Sequence, residues 1–322
     1  MMWRMILNRL GIGLVTLWVV SVLIFVGTEI LPGDVAQAML GQDATPEKVK
    51  ALREIMGLDR PAYVRYFAWL GDMLRFDLGM SLASMGASGG GTTIEDLISA
   101  RLSNTLLLSA IVAVISIPLS LLMGMLAAMF PTSLFDRIVT FFTLCLVAVP
   151  EFFVATLLVM FFAVKLQWFP AIAQMSDFSS IGDMLRTLAL PIITLCALLF
   201  AQMARMTRAA LLNVLASPYI EMAILKGISR RRIIFRHALV NAVGPIINIV
   251  ALNLAYLVSG VVIVETVFAF PGVAKLMVDG VQVRDMPLVQ ACGMLFCLVY
   301  IVLILISDIS SILTNPRLRF PK

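Results

Sequence analysis

One glycine-rich segment has the residue types and spacing of a serine nucleophile. Residues 86–90 read Gly-Ala-Ser-Gly-Gly, which matches the G-x-S-x-G pattern by letters. That pattern supports hydrolysis only where the serine sits on a strained strand-to-helix turn beside a histidine base. The chain has one histidine, His237, and the distribution of charge predicts that it lies across a membrane from Ser88. We therefore interpret the segment as a flexible linker.

The motifs of other common chemistries are missing from the sequence. It contains no G-x-x-x-x-G-K-[ST] phosphate loop, no H-E-x-x-H zinc motif and no C-x-x-C pair. The cysteines all fall in apolar runs and are interpreted as small packing residues: Cys145, Cys196, Cys292 and Cys297. His237 is interpreted as a structural residue. We predict that the chain is not an enzyme and holds no cofactor or metal ion itself.

Two acidic residues lie where the sequence is otherwise apolar. Glu151 follows Pro150 in the middle of a long uncharged run, and an ionisable group at that depth usually faces protein or a water-filled cavity. Glu151 either lines a conduit or pairs with a polar group on another helix. Glu265 ends a later apolar run, where solvation at the membrane surface and a role in an outer gate are both open interpretations.

One face of the fifth apolar run is small or polar. At helical steps of three and four it holds Asn241, Pro245, Asn248, Ala255 and Ser259. Such a face either packs against another helix through small and amide groups or lines an aqueous path. The sequence favours the two interpretations equally.

Helices that cross a membrane must position these residues. The chain has 322 residues, 61% of them hydrophobic, and a mean hydropathy of +1.01. Six nearly uncharged runs have about the 20 residues that a helix needs to span a bilayer: 10–28, 102–130, 138–164, 188–204, 238–264 and 288–307. We predict an all-α polytopic membrane protein with six transmembrane helices, in which Gly124 and Ala128 form a small-xxx-small packing pair.

The distribution of charge predicts the orientation of these helices. If Arg4 and Arg9 are cytoplasmic, the segments on that side collect most basic residues, and both termini are cytoplasmic. The segments on the outer side hold most acidic residues. The net charge of +5 thus mainly reflects the topology. Some of the basic residues are also expected to contact anionic lipid, and nucleic acid is not an expected partner. The first run is longer than a usual signal peptide core, so we expect it to be retained.

Three segments follow from this topology. Residues 1–31 form the N-terminal segment and first span, residues 32–100 form an extracytoplasmic insert, and residues 101–322 form a core of five further spans. Within the insert, Thr45, Pro46 and Glu47 predict the start of a short amphipathic helix.

The basic segment 217–237 predicts two short helices separated by a glycine. Ser217 is a good N-cap, Pro218 suits the first turn, and Glu221 lies near the positive helix terminus. Gly227 can end the helix in a left-handed conformation, and Ser229 can cap the next one. Lipid contact would explain the arginines alone, whereas a rigid element that docks on a protein explains the whole pattern.

Residues 221–227, Glu-Met-Ala-Ile-Leu-Lys-Gly, resemble the E-A-A-x-x-x-G signature of bacterial ATP-binding-cassette (ABC) importer permeases. Met222 stands in place of one of the two alanines, and Gly244-Pro245 replaces the more usual Ile-Pro or Leu-Pro. Further stretches are similar to the dipeptide/oligopeptide and nickel branch of that family, so the resemblance covers essentially the whole chain: LPGD at 31–34, GLDRP at 57–61, FDLGMSL at 76–82, ARMTRAALLNVL at 204–215, the segments from 229 and 265, and NPRLRF at 315–320.

The resemblance implies the architecture of type I importer permeases, with cytoplasmic coupling helices at 217–237 that dock on an ATP-binding subunit. Carried over residue by residue, the docking positions are Glu221, Ala223 and Gly227. The implied partners are a second homologous permease, an extracytoplasmic solute-binding protein and two cytoplasmic subunits that bind ATP and Mg. The implied location is the bacterial inner membrane. Candidates for the translocation path or its gate are Glu151, Asn241, Asn248, Ser259 and Glu265.

The alternative is an autonomous secondary transporter or channel that uses Glu151 as a proton or cation site. It would leave the segment 217–237 unexplained. Peptides are the substrate that the resemblance implies, while nickel, glutathione and other small solutes remain open.

Overall fold

The structure, a computed structural model, describes residues 2–30, 37, 45–55, 57, 59–84, 91–175, 180–259 and 261–314. The glycine-rich segment 86–90, the LPGD stretch and the closing NPRLRF stretch lie outside the described residues. Within them the chain is helical and forms no β-strand, and one isolated antiparallel bridge pairs Met80 with Thr93. The prediction of an all-α protein is confirmed.

The helices are named in chain order. They are α1 (Met2–Ile30), α2 (Pro46–Ile55), α3 (Ala62–Leu74), α4 (Ile94–Met129), α5 (Leu134–Ala148), α6 (Glu151–Leu158, continued by a π-helical segment Val159–Lys165), α7 (Ile181–Leu215), α8 (Pro218–Leu225), α9 (Leu239–Ser259), α10 (Val262–Val267), α11 (Val273–Gln282) and α12 (Met286–Thr314). A helical turn Arg230–Arg232 and a π-helical segment Ile233–Ala238 lead into α9.

Five helical segments among the described residues are long and apolar enough to cross a bilayer. They are Arg4–Ile30, Ile94–Met129, Ile181–Leu215, Ile233–Val267 and Met286–Ile312. The pair α5 and α6 adds a sixth crossing if its two helices together count as one span. The six predicted spans are therefore recovered on that condition.

The third span is not the continuous helix that its apolar run predicts. Helices α5 and α6 meet at an angle of 99°, and the break falls at Val149 and Pro150, which are both extended. Proline lacks the backbone N–H that would continue the helix, and it disfavours the helical conformation of the residue before it. Glu151 therefore begins α6 beside a sharp bend, and does not lie midway along a straight helix.

The fourth span is longer than predicted at both ends. The apolar run stops at Ala204 because Arg205 follows, yet α7 continues to Leu215. A charged residue does not end a helix, since arginine is a good helix former. The segment after the fourth span is thus part of the same helix and not a loop.

The described chain divides into two compact units. The first comprises Met1–Gly11, Leu106–Phe270 and Tyr300–Lys322, and the second comprises Ile12–Thr105 and Pro271–Val299. Helices α1, α4 and α12 each contribute residues to both units, so the units do not follow the predicted boundaries near residues 32 and 101. Those boundaries concern the topology in the membrane and stay a prediction.

The core of the first unit is organised around α7. The helix buries Leu188, Leu195 and Leu199 completely or nearly so, and the same cluster includes apolar residues of α4, α9 and the segment after α10: Leu108, Val112, Ile249, Leu257, Phe268 and Phe270. The predicted packing role of Gly124 and Ala128 is confirmed, since Gly124 faces α7 and Ala128 is 1% exposed beside Leu211.

Replacing Gly124 by alanine is expected to destabilise the first unit by about 2 kcal/mol, because overpacked helices must separate. A Cβ at Gly124 would lie 2.5 Å from the Ala204 carbonyl oxygen and 2.9 Å from Thr207 Cβ. Gly11→Ala is the matched control, since a Cβ there meets nothing within 4 Å. The measurement is the apparent Tm of each purified variant in detergent. Equal Tm values for the two variants would contradict the close packing.

The second unit contains the predicted helix of the insert and a buried carboxylate that the sequence did not reveal. Helix α2 begins at Pro46 as predicted. Asp285 is 0% exposed, and it accepts hydrogen bonds from Ser81 Oγ at 2.5 Å and from the backbone N–H of Ala83 at 3.3 Å. It also caps α12 through the N–H of Leu288 at 3.3 Å. Asp285 thus ties the segment before residue 84 to the start of α12.

Candidate functional site

Helix α8 presents an apolar surface that the described residues do not cover. Its inner face buries Ile220 and Ala223 in a small cluster with Ile233. The outer face exposes Met222, Ile224 and Leu225, at 55%, 60% and 75%, together with Glu221. We call the residues Glu221, Met222, Ile224 and Leu225 the α8 surface. It combines one carboxylate with three apolar side chains on an eight-residue helix.

Gly227 and Ala223 complete the end of α8. Gly227 has a φ of +71°, as the sequence predicts for a helix-ending glycine. Its N–H donates to the Ile224 carbonyl at 2.9 Å, and the N–H of Ile228 donates to the Ala223 carbonyl at 3.2 Å. These two bonds are those of a Schellman motif, and the side chains of Ile228 and Ala223 meet in the same cluster.

The predicted docking residues therefore occupy different positions. Glu221 lies on the exposed surface, whereas Ala223 is 8% exposed and faces the chain's own cluster. Gly227 is exposed and shapes the turn. Whether they touch a partner stays a prediction, and Ala223 has little surface to offer one.

The predicted serine caps are formed only in part. Ser217 occupies the N-cap position of α8 and Pro218 the first helical position, but the Ser217 hydroxyl donates backwards to the Val214 carbonyl. The hydroxyl therefore binds to the end of α7 and does not satisfy an N–H of α8. At Ser229 the backbone carbonyl accepts from the N–H of Ile233 at 3.0 Å.

Gly227→Val is expected to loosen the end of α8, because a left-handed conformation costs a residue with a Cβ about 1–2 kcal/mol. Lys226 and Arg230 flank the turn, so trypsin reports on its opening. We expect cleavage there to accelerate about five- to thirtyfold. Gly227→Asn is the matched control, since asparagine tolerates this conformation and a Cβ at Gly227 meets nothing within 4 Å. Similar cleavage rates for both variants would exclude a role for the turn.

A cavity of about 650 Å³ lies between α7 and α9 next to the start of α8. Its polar lining residues come from both helices and the connection to α8: Asn213, Ser217, Tyr219, Asn241 and Asn248. Asn241 Nδ2 donates to the His237 carbonyl at 2.6 Å, and Ser307 Oγ donates to Asn248 Oδ1 at 2.5 Å. The Tyr219 hydroxyl is buried and has no hydrogen-bond partner among the described residues.

A second cavity, of about 270 Å³, lies between the bend that joins α5 to α6 and the helix α7, with Tyr256 of α9 in its lining. Its polar lining residues are Glu151, Gln202, Arg205 and Tyr256. The Tyr256 hydroxyl donates to Glu151 Oε2 at 2.6 Å, while Glu151 Oε1 is buried and has no partner in the described part of the chain. Glu151 thus borders a cavity and pairs with Tyr256 on another helix. That it lines a conduit stays a prediction.

The polar face predicted on the fifth span has two parts. Asn241, Pro245 and Asn248 are exposed and line the larger cavity. Ala255 is 0% exposed within the first unit, and the Ser259 hydroxyl donates to its carbonyl at 2.7 Å. Ser259 lines neither of these two cavities. The first half of the face thus lines a cavity and the second half packs within the first unit. That the first half lines an aqueous path stays a prediction.

Glu265 is 0% exposed and lies in α10. Its predicted solvation at the membrane surface is therefore wrong for the folded chain. The wrong prediction came from placing the residue at the end of an apolar run, whereas the segment after α10 folds back: the Phe270 N–H donates to the Glu265 carbonyl at 2.8 Å. Its role in a gate stays a prediction.

An ion pair that the sequence did not predict joins α5 to α7. Arg208 donates from Nε and Nη2 to the two carboxylate oxygens of Asp136, at 2.5 and 2.8 Å. The Thr132 N–H donates to Asp136 Oδ2 at 2.9 Å, and Thr132 itself has a φ of +65°. The Asp136 side chain is 5% exposed and that of Arg208 28%. The pair therefore fastens the turn before α5 to the helix that leads into α8.

Sequence reasoning missed the residues that α7 contributes to the cavities. Gln202, Arg205, Ala209 and Asn213 recur at steps of three and four, and all four are exposed. This spacing is the signal that identifies one helical face. The sequence did not indicate this face because its apolar run ends before Arg205, whereas the face continues beyond that residue.

Comparisons with known proteins show the family of the chain. A family model described as binding-protein-dependent transport system inner membrane component matches residues 120–320, and the corresponding N-terminal model matches residues 2–109. The chain is 33% identical over 315 residues to the probable peptide ABC transporter permease protein y4tP of Sinorhizobium fredii, covering 98% of this chain and 99% of that protein.

Two further relatives are similar over their whole length. A putative peptide transport system permease protein of Brucella melitensis is 33% identical over 320 residues, covering 99% of this chain and all of the relative. The glutathione transport system permease protein GsiC of Escherichia coli is 32% identical over 320 residues with the same coverage.

Proposed function

Because the chain belongs to the family of binding-protein-dependent transport system inner membrane components, we propose that it forms half of the translocation pathway for peptides or similar small solutes. As a member of this family it is the permease subunit of an ABC importer and a multi-pass inner-membrane protein. Permease subunits of this kind are not themselves catalytic. The substrate class is proposed because relatives are named for peptides and for glutathione.

The α8 surface is the observation that supports the proposed partners. An exposed apolar patch bordered by a charge is typical of a protein interaction site, and a short helix can lay such a face into a groove. We infer that the groove belongs to one of two cytoplasmic subunits that bind ATP and Mg. The other proposed partners are a second homologous permease and an extracytoplasmic solute-binding protein.

The proposed mechanism is alternating access. ATP binding and hydrolysis bring the ATP-binding subunits together and apart, and α8 transmits that motion to α7. Such coupling requires the ATP-bound state to favour one conformation of the permease over the other. A helix fixed at its end by a Schellman motif transmits force better than a loose loop. In this proposal both termini and α8 are cytoplasmic, in keeping with the basic residues on that side.

The two cavities support the location of the path. Their lining includes exposed polar residues of membrane-spanning helices, namely Gln202, Arg205, Asn213, Asn241 and Asn248. Such residues face protein or water and not lipid. We propose that Glu151, Asn241 and Asn248 border the path, that Ser259 stabilises α9 near it, and that Glu265 belongs to a gate. The autonomous transporter with Glu151 as its ion site is not favoured, because the relatives are subunits of ABC transporters.

Purification from native membranes tests this proposal. The tagged chain is extracted in mild detergent, and the copurifying chains are identified by mass spectrometry. We expect a second permease and two subunits with the G-x-x-x-x-G-K-[ST] phosphate loop, and uptake by reconstituted vesicles that stops with a non-hydrolysable ATP analogue. A chain that emerges alone and moves solute without ATP would overturn the proposal in favour of a secondary transporter.

A further inference from the structure

We propose that Glu151 and Arg205 are the two ends of a binding site for a small zwitterion, a solute that carries one ammonium group and one carboxylate. Both residues line the 270 Å³ cavity between the bend at the end of α5 and α7, together with Gln202 of α7 and Tyr256 of α9. The inference rests on the proposed function, because it names the chemistry that the transported solute presents to this chain.

Glu151 is the end that receives the ammonium group. Tyr256 donates to Oε2 at 2.6 Å and holds the carboxylate in place. Oε1 is buried without a hydrogen-bond partner among the described residues. A buried charged oxygen without a donor is costly, and a cationic N–H donor relieves that cost most strongly. An ammonium group supplies both the charge and the N–H.

Arg205 is the end that receives the carboxylate. Its side chain is exposed, and it forms no hydrogen bond or ion pair with the described residues. Arg205 directly follows the apolar run 188–204, so its guanidinium lies where water or a partner of opposite charge can reach it. The planar fork of arginine matches a carboxylate with two parallel hydrogen bonds.

The two charges leave room for a solute between them. They border one cavity yet form no ion pair with each other in the structure. Ligand cavities usually have about 300–1,000 Å³, so this one suits only a small molecule. Short peptides, the proposed solutes, carry free ammonium and carboxylate groups at their ends. Gln202 adds an amide that can bind the peptide bond between those ends.

Uptake of blocked peptides tests this site in the complete importer. The purified complex, with its binding protein, is reconstituted in vesicles and given Ala-Ala, N-acetyl-Ala-Ala or Ala-Ala amide. Uptake is measured for wild type, Glu151→Gln and Arg205→Gln. The binding protein is the same in every experiment. Its own preference among the probes therefore cancels when the uptake of each probe by a variant is divided by the uptake by wild type. Lys165→Gln is the control, since it removes a charge outside the cavity.

We expect each variant to lose the preference for one group of the solute. Glu151→Gln is expected to lower Ala-Ala and Ala-Ala amide uptake roughly 10- to 100-fold and leave the N-acetyl peptide unchanged. Arg205→Gln is expected to lower uptake of the two probes with a free carboxylate and spare the amide. Arg205→Lys, which keeps the charge, is expected to retain part of the activity. Basal ATP hydrolysis should stay unchanged in the control Lys165→Gln, whose side chain does not line the cavity.

Other outcomes separate this inference from the proposed function. Equal losses for all three probes would overturn the zwitterion site and make Glu151 and Arg205 positioning residues. Loss of the second permease from Arg205→Gln complexes would overturn it by assigning Arg205 to a contact between subunits. ATP-driven wild-type uptake without preference for either end group would also overturn it while leaving the importer intact. Absence of ATP-dependent uptake of any solute would instead contradict the proposed function.

Discussion

Ile224→Asp is expected to release the ATP-binding subunits from the purified importer while the permease itself stays folded. The Ile224 side chain is 60% exposed, so aspartate there buries no charge in the isolated chain. In the proposed complex the same position lies in a groove, and an unpaired carboxylate in an apolar contact weakens binding. Loss of a central contact costs at least about 2 kcal/mol, or about a thirtyfold loss of affinity. Recovery of ATP-binding subunits per tagged permease measures this directly.

Two controls separate docking from folding. Ile224→Leu keeps the apolar character and should retain the partners. Leu134→Asp introduces the same charge at a side chain that is 74% exposed, at the start of α5 and outside the α8 surface. It should retain the partners as well. Full recovery of ATP-binding subunits with Ile224→Asp would show that α8 does not dock on them.

The sequence was sufficient for the helices and for the end of α8. Apolar runs predict spans because no other regular structure satisfies the backbone inside a bilayer. Gly227 predicted its own conformation because few other residues adopt a positive φ at low cost. These are local properties, and each can be derived from a few neighbouring residues.

The bend at Pro150 and the length of α7 were not predicted, for opposite reasons. Hydropathy is an average over residues 138–164, and Pro150 does not make this run less apolar. The same proline nevertheless breaks the helix by its backbone geometry. Arg205 interrupts an apolar run without breaking the helix. Hydropathy measures the cost of transfer into lipid, and only backbone chemistry decides where a helix begins or ends.

The candidate site depended on tertiary contacts that no local pattern contains. Met222 seemed a departure from the family signature, yet it lies on the exposed surface, while Ala223 lies on the inner face. Asp136 and Arg208 are far apart in sequence, and only the packing of α5 on α7 brings them together. Glu151 was singled out for its depth, but its partner Tyr256 and its neighbour Arg205 required the fold.

Removing Arg208 is expected to destabilise the chain by about 3 kcal/mol, because it leaves the carboxylate of Asp136 buried without compensation. That carboxylate is 5% exposed. Asp136→Ala should have a similar effect, since it also removes the acceptor for the Thr132 N–H. The double variant should lose less than the sum, because neither charge is then left alone. The apparent Tm of each purified variant measures these differences.

A more exposed ion pair between helices offers a matched control. Arg9 and Asp308 lie 3.1 Å apart, but their side chains are 53% and 21% exposed. Exposed pairs contribute only about 0–1 kcal/mol, so Arg9→Ala should have little effect. A loss for Arg208→Ala no larger than that for Arg9→Ala would contradict the structural role of the buried pair.

Exchange of the two charges distinguishes a simple attraction from a fixed geometry. In the variant Asp136→Arg with Arg208→Asp, opposite charges still face each other, but the Thr132 N–H loses its acceptor and the turn before α5 loses its anchor. We therefore expect the exchange to leave stability low. In the complete importer it should also lower the amount of solute moved per ATP hydrolysed, because α7 carries α8 and must move with the spans it contacts. Recovery of both stability and coupling would mean that charge attraction alone holds α5 to α7.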